Sequence, residues 1–390
     1  MTGIYRLKGT VKHYDWGGFS FIPSLLKTPN KEKKPFAEYW MGIHPLGISM
    51  IELPNDEIKK LTEYVNDLPY LFKVLDVKDM LSIQVHPSRS AAKIEFAREN
   101  SEEIPLDSPQ RSYKDDNHKP ELMVALGDFW LLHGFKPGKE LAYTLLNVVE
   151  LRELLPVYNQ AGYAGLYKYV MEMPQEEVNR ILKPLVSNII PVYQSGTLDK
   201  MDEDFWAARA ALTFSDNNHV DRGIFSIYLF NLVYLKKGEG IFQDAGVPHA
   251  YLEGQNIEIM ANSDNVLRGG LTTKFIDVKE LLKHVRCEPT VPNILRGEEV
   301  ADHVRLYKTP VNDFELNVLE LKKDTEIKNT ADSTEILLVT EGAVRINNED
   351  MDLQAGKPSA VILPGTSYTL TGFGAKSIVF RASVPVNRSK

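Results

Sequence analysis

Leu81-Ser-Ile-Gln-Val-His-Pro87 reads as a short strand, and strand alternation sets Gln84 and His86 on one face with their lone pairs pointing the same way. Two further segments supply matching groups: Glu121 in His118-Lys-Pro-Glu121 and His249 in Gly246-Val-Pro-His249. A neutral amide oxygen, two imidazoles and one carboxylate suit a divalent metal that keeps an open position. A lone Gln-x-His on a strand usually packs and hydrogen-bonds; the weight here comes from the whole set. One carboxylate and a neutral Gln would only partly neutralise a zinc ion, preserving the Lewis acidity that polarises a substrate oxygen.

Composition narrows the setting. A chain of 390 residues with 43% hydrophobic content exceeds one ordinary core, so two or three domains are expected. The opening Met1-Thr-Gly-Ile-Tyr-Arg-Leu-Lys8 carries charges where a signal peptide needs its apolar core, and no apolar run approaches membrane-spanning length. A cytoplasmic protein without membrane contact is expected. The single cysteine, Cys287, excludes an intrachain disulfide framework and a thiolate zinc cluster, leaving His, Glu and Gln as the metal chemistry, and reads as a buried small residue. A net charge of -8 argues against nucleic acid as a partner, because such binding needs a basic surface. The run Lys31-Glu-Lys-Lys34 between Pro29 and Pro35 reads as a solvated loop.

The N-terminal third is short-stranded, with turn signals at Trp16-Gly-Gly18, His44-Pro-Leu-Gly47 and Leu53-Pro-Asn-Asp56. After Lys136-Pro-Gly138 the pattern becomes helical. Pro174 opens a helix in which Val178, Ile181, Leu182 and Leu185 form one apolar stripe, and residues 204–214 also read as helical. From Gly223 a strand is expected, with Phe225, Ile227, Leu229, Asn231, Val233 and Leu235 alternating against their neighbours. After Asn293 come further strands, including 335–340 and 360–363. The expected division is a discontinuous catalytic β domain (1–138 and 223–292), a helical insertion (139–222) hanging from its rim, and a C-terminal β domain (293–390). A faint repeat relates Gly246-Val-Pro-His249 to Gly365-Thr-Ser-Tyr368, with Tyr where the first copy has His. The C-terminal unit is therefore expected to lack this metal ligand.

Alternation in Ile257-Glu-Ile-Met-Ala-Asn-Ser-Asp-Asn-Val-Leu-Arg-Gly-Gly270 puts Glu258 and Met260 on one side of a strand, with a turn at residues 262–265 and Arg268 before a glycine pair. With Leu81–Pro87, His118-Lys-Pro-Glu121, Gly246-Val-Pro-His249, Tyr14-Asp-Trp-Gly17 and Glu38-Tyr-Trp-Met-Gly42, these residues resemble the type I phosphomannose isomerases of the cupin superfamily. The resemblance implies a mainly β fold of cupin-type jelly-roll domains with a helical insertion. It also implies one zinc per chain on Gln84, His86, Glu121 and His249, with Arg268, Glu258, Lys119, His118 and Asp264 in the catalytic pocket. Ser88-Arg-Ser-Ala91, Thr273 and Phe275 depart from the commoner family residues, and the metal set is untouched by them.

The activity so implied is zinc-dependent interconversion of mannose 6-phosphate and fructose 6-phosphate, moving a proton between adjacent carbons through an enediol. Glu258 is the first choice for the base, with His118, Lys119 and Asp264 as competitors for base or ring-opening duties. Ser82, Lys73 and Arg89 are candidates for the substrate phosphate. A cupin iron oxygenase and a non-catalytic metal-dependent sugar-phosphate binder are the alternatives. A monomer or weak homodimer is expected.

Overall fold

The computed structural model describes residues 2–216 and 218–385; Met1, Asn217 and residues 386–390, the last at the end of the expected C-terminal unit, lie outside. The strand Tyr70–Val77 is buried at every position, so both of its faces are covered. It pairs antiparallel with Glu38–Met41 on one side and with His249–Ala261 on the other. Alternation across this sheet sorts two environments. Tyr39, Phe72, Val74, Leu122, Ile257 and Ile259 point one way, into an apolar core shared with Leu316, Ile336, Leu338, Val361 and Phe380. Trp40, Lys73 and Glu258 occupy one cross-strand row on the opposite face. Charges buried on such a row must be paired with one another or with polar groups in front of the sheet.

The long strand His249–Ala261 serves two sets of partners. Its first residues pair with Phe129–Phe135 and Gln84–Val85, and its later ones with Tyr70–Val77 and Glu121–Ala125. The bend falls at Gly254, at φ +130°, where a Cβ would lie 2.6 Å from the Asp128 carbonyl oxygen. Only glycine fits such a turn. The bend brings His249 and Glu258, on separate portions of one strand, to one cavity.

A nine-stranded sheet holds the strands of the last third, but its edge is completed from the N-terminus. Ile4–Lys8 pairs with Ser359–Ile362 and with Met50–Glu52, which pairs in turn with Ile58–Lys60. A smaller four-stranded sheet covers it, enclosing Leu319, Leu337, Val339, Val344, Leu353 and Leu370. The β unit expected over 293–390 thus takes in strands from the first sixty residues, a pairing that local patterning does not reveal.

Helices Gly138–Asn147, Leu154–Glu172, Gln175–Gln194 and Glu203–Phe214 fill the expected insertion. In the third of these, Val178, Ile181, Leu182, Leu185, Val186 and Ile189 form the buried stripe, each contributing about 1.5–3 kcal/mol through its burial. Their core is continuous with Met80, Ile83, Val85, Leu267 and Leu271, so the helices pack against the site strands through a shared apolar core. Two strand expectations need correction. Gly223–Leu229 is a helix, and only Phe230–Leu235 is strand. All seven helical residues are buried, so no polar face marks the helical period and the apolar run imitates alternation. Within Leu81–Pro87 only Gln84–Val85 is ladder, although backbone bonds from Leu81 to Tyr251 (2.9 Å) and Ile83 to Gly270 (3.0 Å) hold the approach.

Candidate functional site

His86, Glu121 and His249 are buried and bring ligand atoms within 4.8 Å of one another. His86 Nδ1 lies 2.8 Å from the Asn265 carbonyl oxygen and His249 Nδ1 3.0 Å from that of Val247. A carbonyl only accepts, so both Nδ1 atoms carry the proton and both Nε2 atoms present lone pairs. Those lone pairs face the Glu121 carboxylate at 3.4 Å (His86 to Oε1) and 3.3 Å (His249 to Oε2). His86 Nε2 has no hydrogen-bond partner. Burial pushes the His86 imidazole down to about 4, against the pull of Glu121, so it is neutral near pH 7. Burial opposes the Glu121 charge, but Lys119 and the two imidazoles hold the carboxyl well below its ordinary range. Two lone pairs and a carboxylate converging in a dry pocket repel one another unless a cation stands between them, and the donor set suits zinc. Gln84 pairs in register with His249 and lines the same small cavity as Glu121, His249 and Glu258.

The charged row lies beside this cluster. Glu258, 3% exposed, accepts from Lys73 Nζ at 3.0 Å and from the Tyr251 hydroxyl at 2.8 Å. Burial raises the Glu258 pKa and Lys73 opposes that rise. For Lys73 the balance is reversed: burial disfavours its ammonium, but Glu258, Glu38 and Glu121 outweigh it and raise its pKa. Lys73 also lies 3.8 Å from Glu38, which accepts the Trp40 indole N–H.

Outside the buried cavity opens a larger one of about 640 Å³. Lys119, Gln84, Lys73 and Glu38 border both, connecting the cluster to solvent-accessible space. Ser82, Asp264 and Arg268 line the larger cavity. Asp264 faces His44 Nε2 at 3.3 Å; burial works against its charge, while His44, Lys119 and Lys73 hold its pKa below the ordinary value. Arg268 pairs in register with Gln84, and burial lowers its pKa.

Three expected roles change with this placement. Lys73 is a buried partner of two carboxylates and not a phosphate group on the rim. Arg89 lines neither cavity and is held by Asp313 and His118. His118 turns the same way, 3.0 Å from Asp313 Oδ2, so its ring serves a link to the C-terminal β unit and not the cavity. Its sequence neighbourhood made it a site residue; proline-bent backbone at Pro120 sends Lys119 and Glu121 inward and His118 outward.

Glu38, Trp40, Tyr251, His44, Thr213 and Phe214 went unassigned by sequence reasoning. Alternation within Glu38-Tyr-Trp places Glu38 and Trp40 together, and Tyr251 stands two residues after His249, so three of these carried a readable signal. Thr213 and Phe214 come from the end of the helix Glu203–Phe214, a contribution only the three-dimensional packing reveals. A second group, Glu95, Glu280 and His284, also converges. Arg98 and Lys283 pair with its carboxylates and the Tyr113 hydroxyl lies 2.7 Å from His284, so it staples the helices Arg89–Ser101 and Val278–His284 together.

Residues 4–138 match the family model of the type I phosphomannose isomerase catalytic domain. The chain is 33% identical to the mannose-6-phosphate isomerase of Escherichia coli (strain K12) over 400 aligned residues, covering 97% of this chain and 99% of that protein. It is 32% identical to the Homo sapiens mannose-6-phosphate isomerase, with 87% of this chain and 88% of that protein covered. The crystal structure of the Salmonella typhimurium mannose 6-phosphate isomerase bound to its substrate and to zinc superposes with a TM-score of 0.85 at 30% identity, covering 98% of this chain and 100% of that one.

Proposed function

The chain belongs to the type I phosphomannose isomerases, and from that premise we propose how its own residues perform the zinc-dependent interconversion of mannose 6-phosphate and fructose 6-phosphate. The observation that carries the reading is the pair of imidazole Nε2 atoms facing one buried carboxylate at 3.4 and 3.3 Å, with each Nδ1 committed to a backbone carbonyl. His86, His249, Glu121 and Gln84 would hold the zinc, which when bound supplies Lewis acidity toward a substrate oxygen.

An aldose becomes a ketose when a proton leaves C2 and another arrives at C1, so the site needs a base that can take and return it. Glu258 fits this role: it is buried, its pKa is raised, and both oxygens are fixed by Lys73 and Tyr251. Lys73 keeps Glu258 ionised for accepting the proton, and burial favours the protonated form that returns it. Lys119 and Arg268 border the larger cavity and offset the negative charge that develops on the enediol oxygens. Asp264, with His44 behind it, faces the cavity where the sugar ring must open and exchange a hydroxyl proton. Of the three phosphate candidates, Ser82 alone lines the larger cavity without being buried in ion pairs.

On this reading residues 1–138 and 223–292 carry the centre, 139–222 supply one wall, and 293–390 form a second β unit completed by N-terminal strands. Among the described residues no helix is long and apolar enough to cross a membrane. A cytoplasmic monomer or weak homodimer that binds sugar phosphate and no nucleic acid completes the proposal. Anaerobic conversion of mannose 6-phosphate by zinc-loaded protein, lost on chelation and restored by zinc, is the expected result; conversion that survives chelation or requires oxygen would overturn it.

A further inference from the structure

Asp221 lies in the link between the helical layer and the helix Gly223–Leu229, far in sequence from the metal-ligand and charged-row residues. The residue is 2% exposed, and both carboxylate oxygens are occupied. Oδ1 accepts the Gly223 N–H at 2.7 Å and the Leu271 N–H at 2.8 Å, while Oδ2 accepts the Thr272 N–H at 3.3 Å. Capping its own helix would use only the Gly223 bond. The other two reach 50 and 51 residues along the chain to the loop that follows Arg268.

That loop is shaped under constraint. Gly270 stands at φ +125° and Leu271, a side chain with no special tolerance for it, at φ +53°. The backbone of Gly270 meets that of Gly223 so closely that a Cβ on Gly270 would lie 2.4 Å from the Gly223 Cα, and one on Gly223 would lie 2.6 Å from the Leu271 nitrogen. On its other side the loop is bonded to Ile83, through Gly269 N–H at 2.9 Å and Gly270 O at 3.0 Å, next to Gln84. Leu271, Thr272, Thr273 and Lys274 all line the larger cavity beside Arg268. A left-handed Leu and two abutting glycines persist only where the surroundings over-determine them, and the buried Asp221 carboxylate is the acceptor that fixes the two N–H groups concerned.

We propose that Asp221 is a positioning residue for the isomerisation: by holding Leu271 and Thr272 it sets the cavity wall that continues from Arg268, and so couples the helical layer to the seating of the substrate. The inference rests on the isomerase reading, because it concerns where the sugar phosphate lies. It makes the helical layer part of the substrate site through backbone geometry, in addition to the side chains of Thr213 and Phe214.

The test compares wild type, Asp221→Ala, Asp221→Asn and Gly223→Ala as zinc-loaded full-length proteins, measuring KM and kcat for mannose 6-phosphate together with zinc content. Asp221→Ala should raise KM about tenfold or more, with a smaller fall in kcat, because a displaced wall loosens the fit of the substrate. Asp221→Asn keeps an acceptor oxygen for Gly223 and Leu271 and should return KM to within about twofold of wild type. Gly223→Ala keeps the carboxylate in the chain but sets a Cβ 2.6 Å from the Leu271 nitrogen and 2.7 Å from Asp221 Oδ1, pressing on both ends of that hydrogen bond, and should raise KM in the same manner. Zinc should stay bound in all four. Unchanged KM in Gly223→Ala would overturn the inference even if Asp221→Ala fails to fold, and so would a loss of activity that tracks loss of zinc. Wild type that fails to convert mannose 6-phosphate would refute the isomerase reading beneath it, a result readily told apart from wild-type conversion with unchanged variants.

Discussion

Gly246-Val-Pro-His249 and Gly365-Thr-Ser-Tyr368 make the same backbone move in two different β units. Each glycine is left-handed, at φ +81° and +76°, and each final residue is buried in the strand that follows. Around His249 the imidazole of His86 and the carboxylate of Glu121 turn lone pairs toward one point. Around Tyr368 the hydrogen bonds close on themselves: its hydroxyl donates to Glu335 Oε2 at 2.6 Å, and Asn329 donates to Glu335 Oε1 at 3.0 Å. Among the described residues no group of three metal-ligating side chains lies in the last third of the chain. The turn is shared, and the chemistry depends on whether acceptors are left converging or are each given a donor.

The strongest way to break this contrast is to remove its one carboxylate. Glu121→Ala should lose zinc and fall to the limit of detection in turnover, because only two imidazoles and an amide remain to hold the ion. Full zinc content with near-normal turnover would show that the first unit is not the metal centre. Glu258→Gln comes next. Its size and hydrogen-bonding reach are nearly kept but it cannot accept a proton, so turnover should fall by about 10²–10⁴ with zinc retained. Exchange of the substrate C2 hydrogen with deuterated water should be lost as well; exchange persisting at the wild-type rate would move Glu258 to ring opening and pass the base to Lys119 or Asp264. Arg268→Ala removes a cation from the cavity wall and should cost about 10² in kcat/KM, and an unchanged value would detach that wall from the reaction.

The convergence of His86, Glu121 and His249 was legible because ligand chemistry survives in residue type, and the alternation of residues 257–260 separated Glu258 from its apolar neighbours. Pairing across strands was not legible. Nothing local joins Lys73 to Glu38 and Glu258, or Ile4–Lys8 to Ser359–Ile362, since those registers are set by long-range topology. His118 shows the same limit at the scale of one side chain: its neighbours in sequence face the cavity, and Asp313 draws it away. The helix Gly223–Leu229 was hidden for another reason, burial on all sides, which erases the polar face that marks a helical period.

The smallest effect sharpens the other half of the contrast. Tyr368→Phe leaves Glu335 without one donor in a buried setting and should lower stability by about 1–3 kcal/mol, read from denaturant unfolding. Zinc content and turnover should not move. A drop in either would mean that the C-terminal unit takes part in the chemistry.

The most direct measurement is the return of zinc to chelated protein, with fructose 6-phosphate formation followed at each addition and bound metal counted per chain. Activity should climb in proportion to bound zinc and level off at one ion per chain, and His249→Ala should recover none of it. Activity that ignores zinc, or that levels off only at two ions with the second abolished by Tyr368→Phe, would contradict a single centre built on His86, Glu121 and His249.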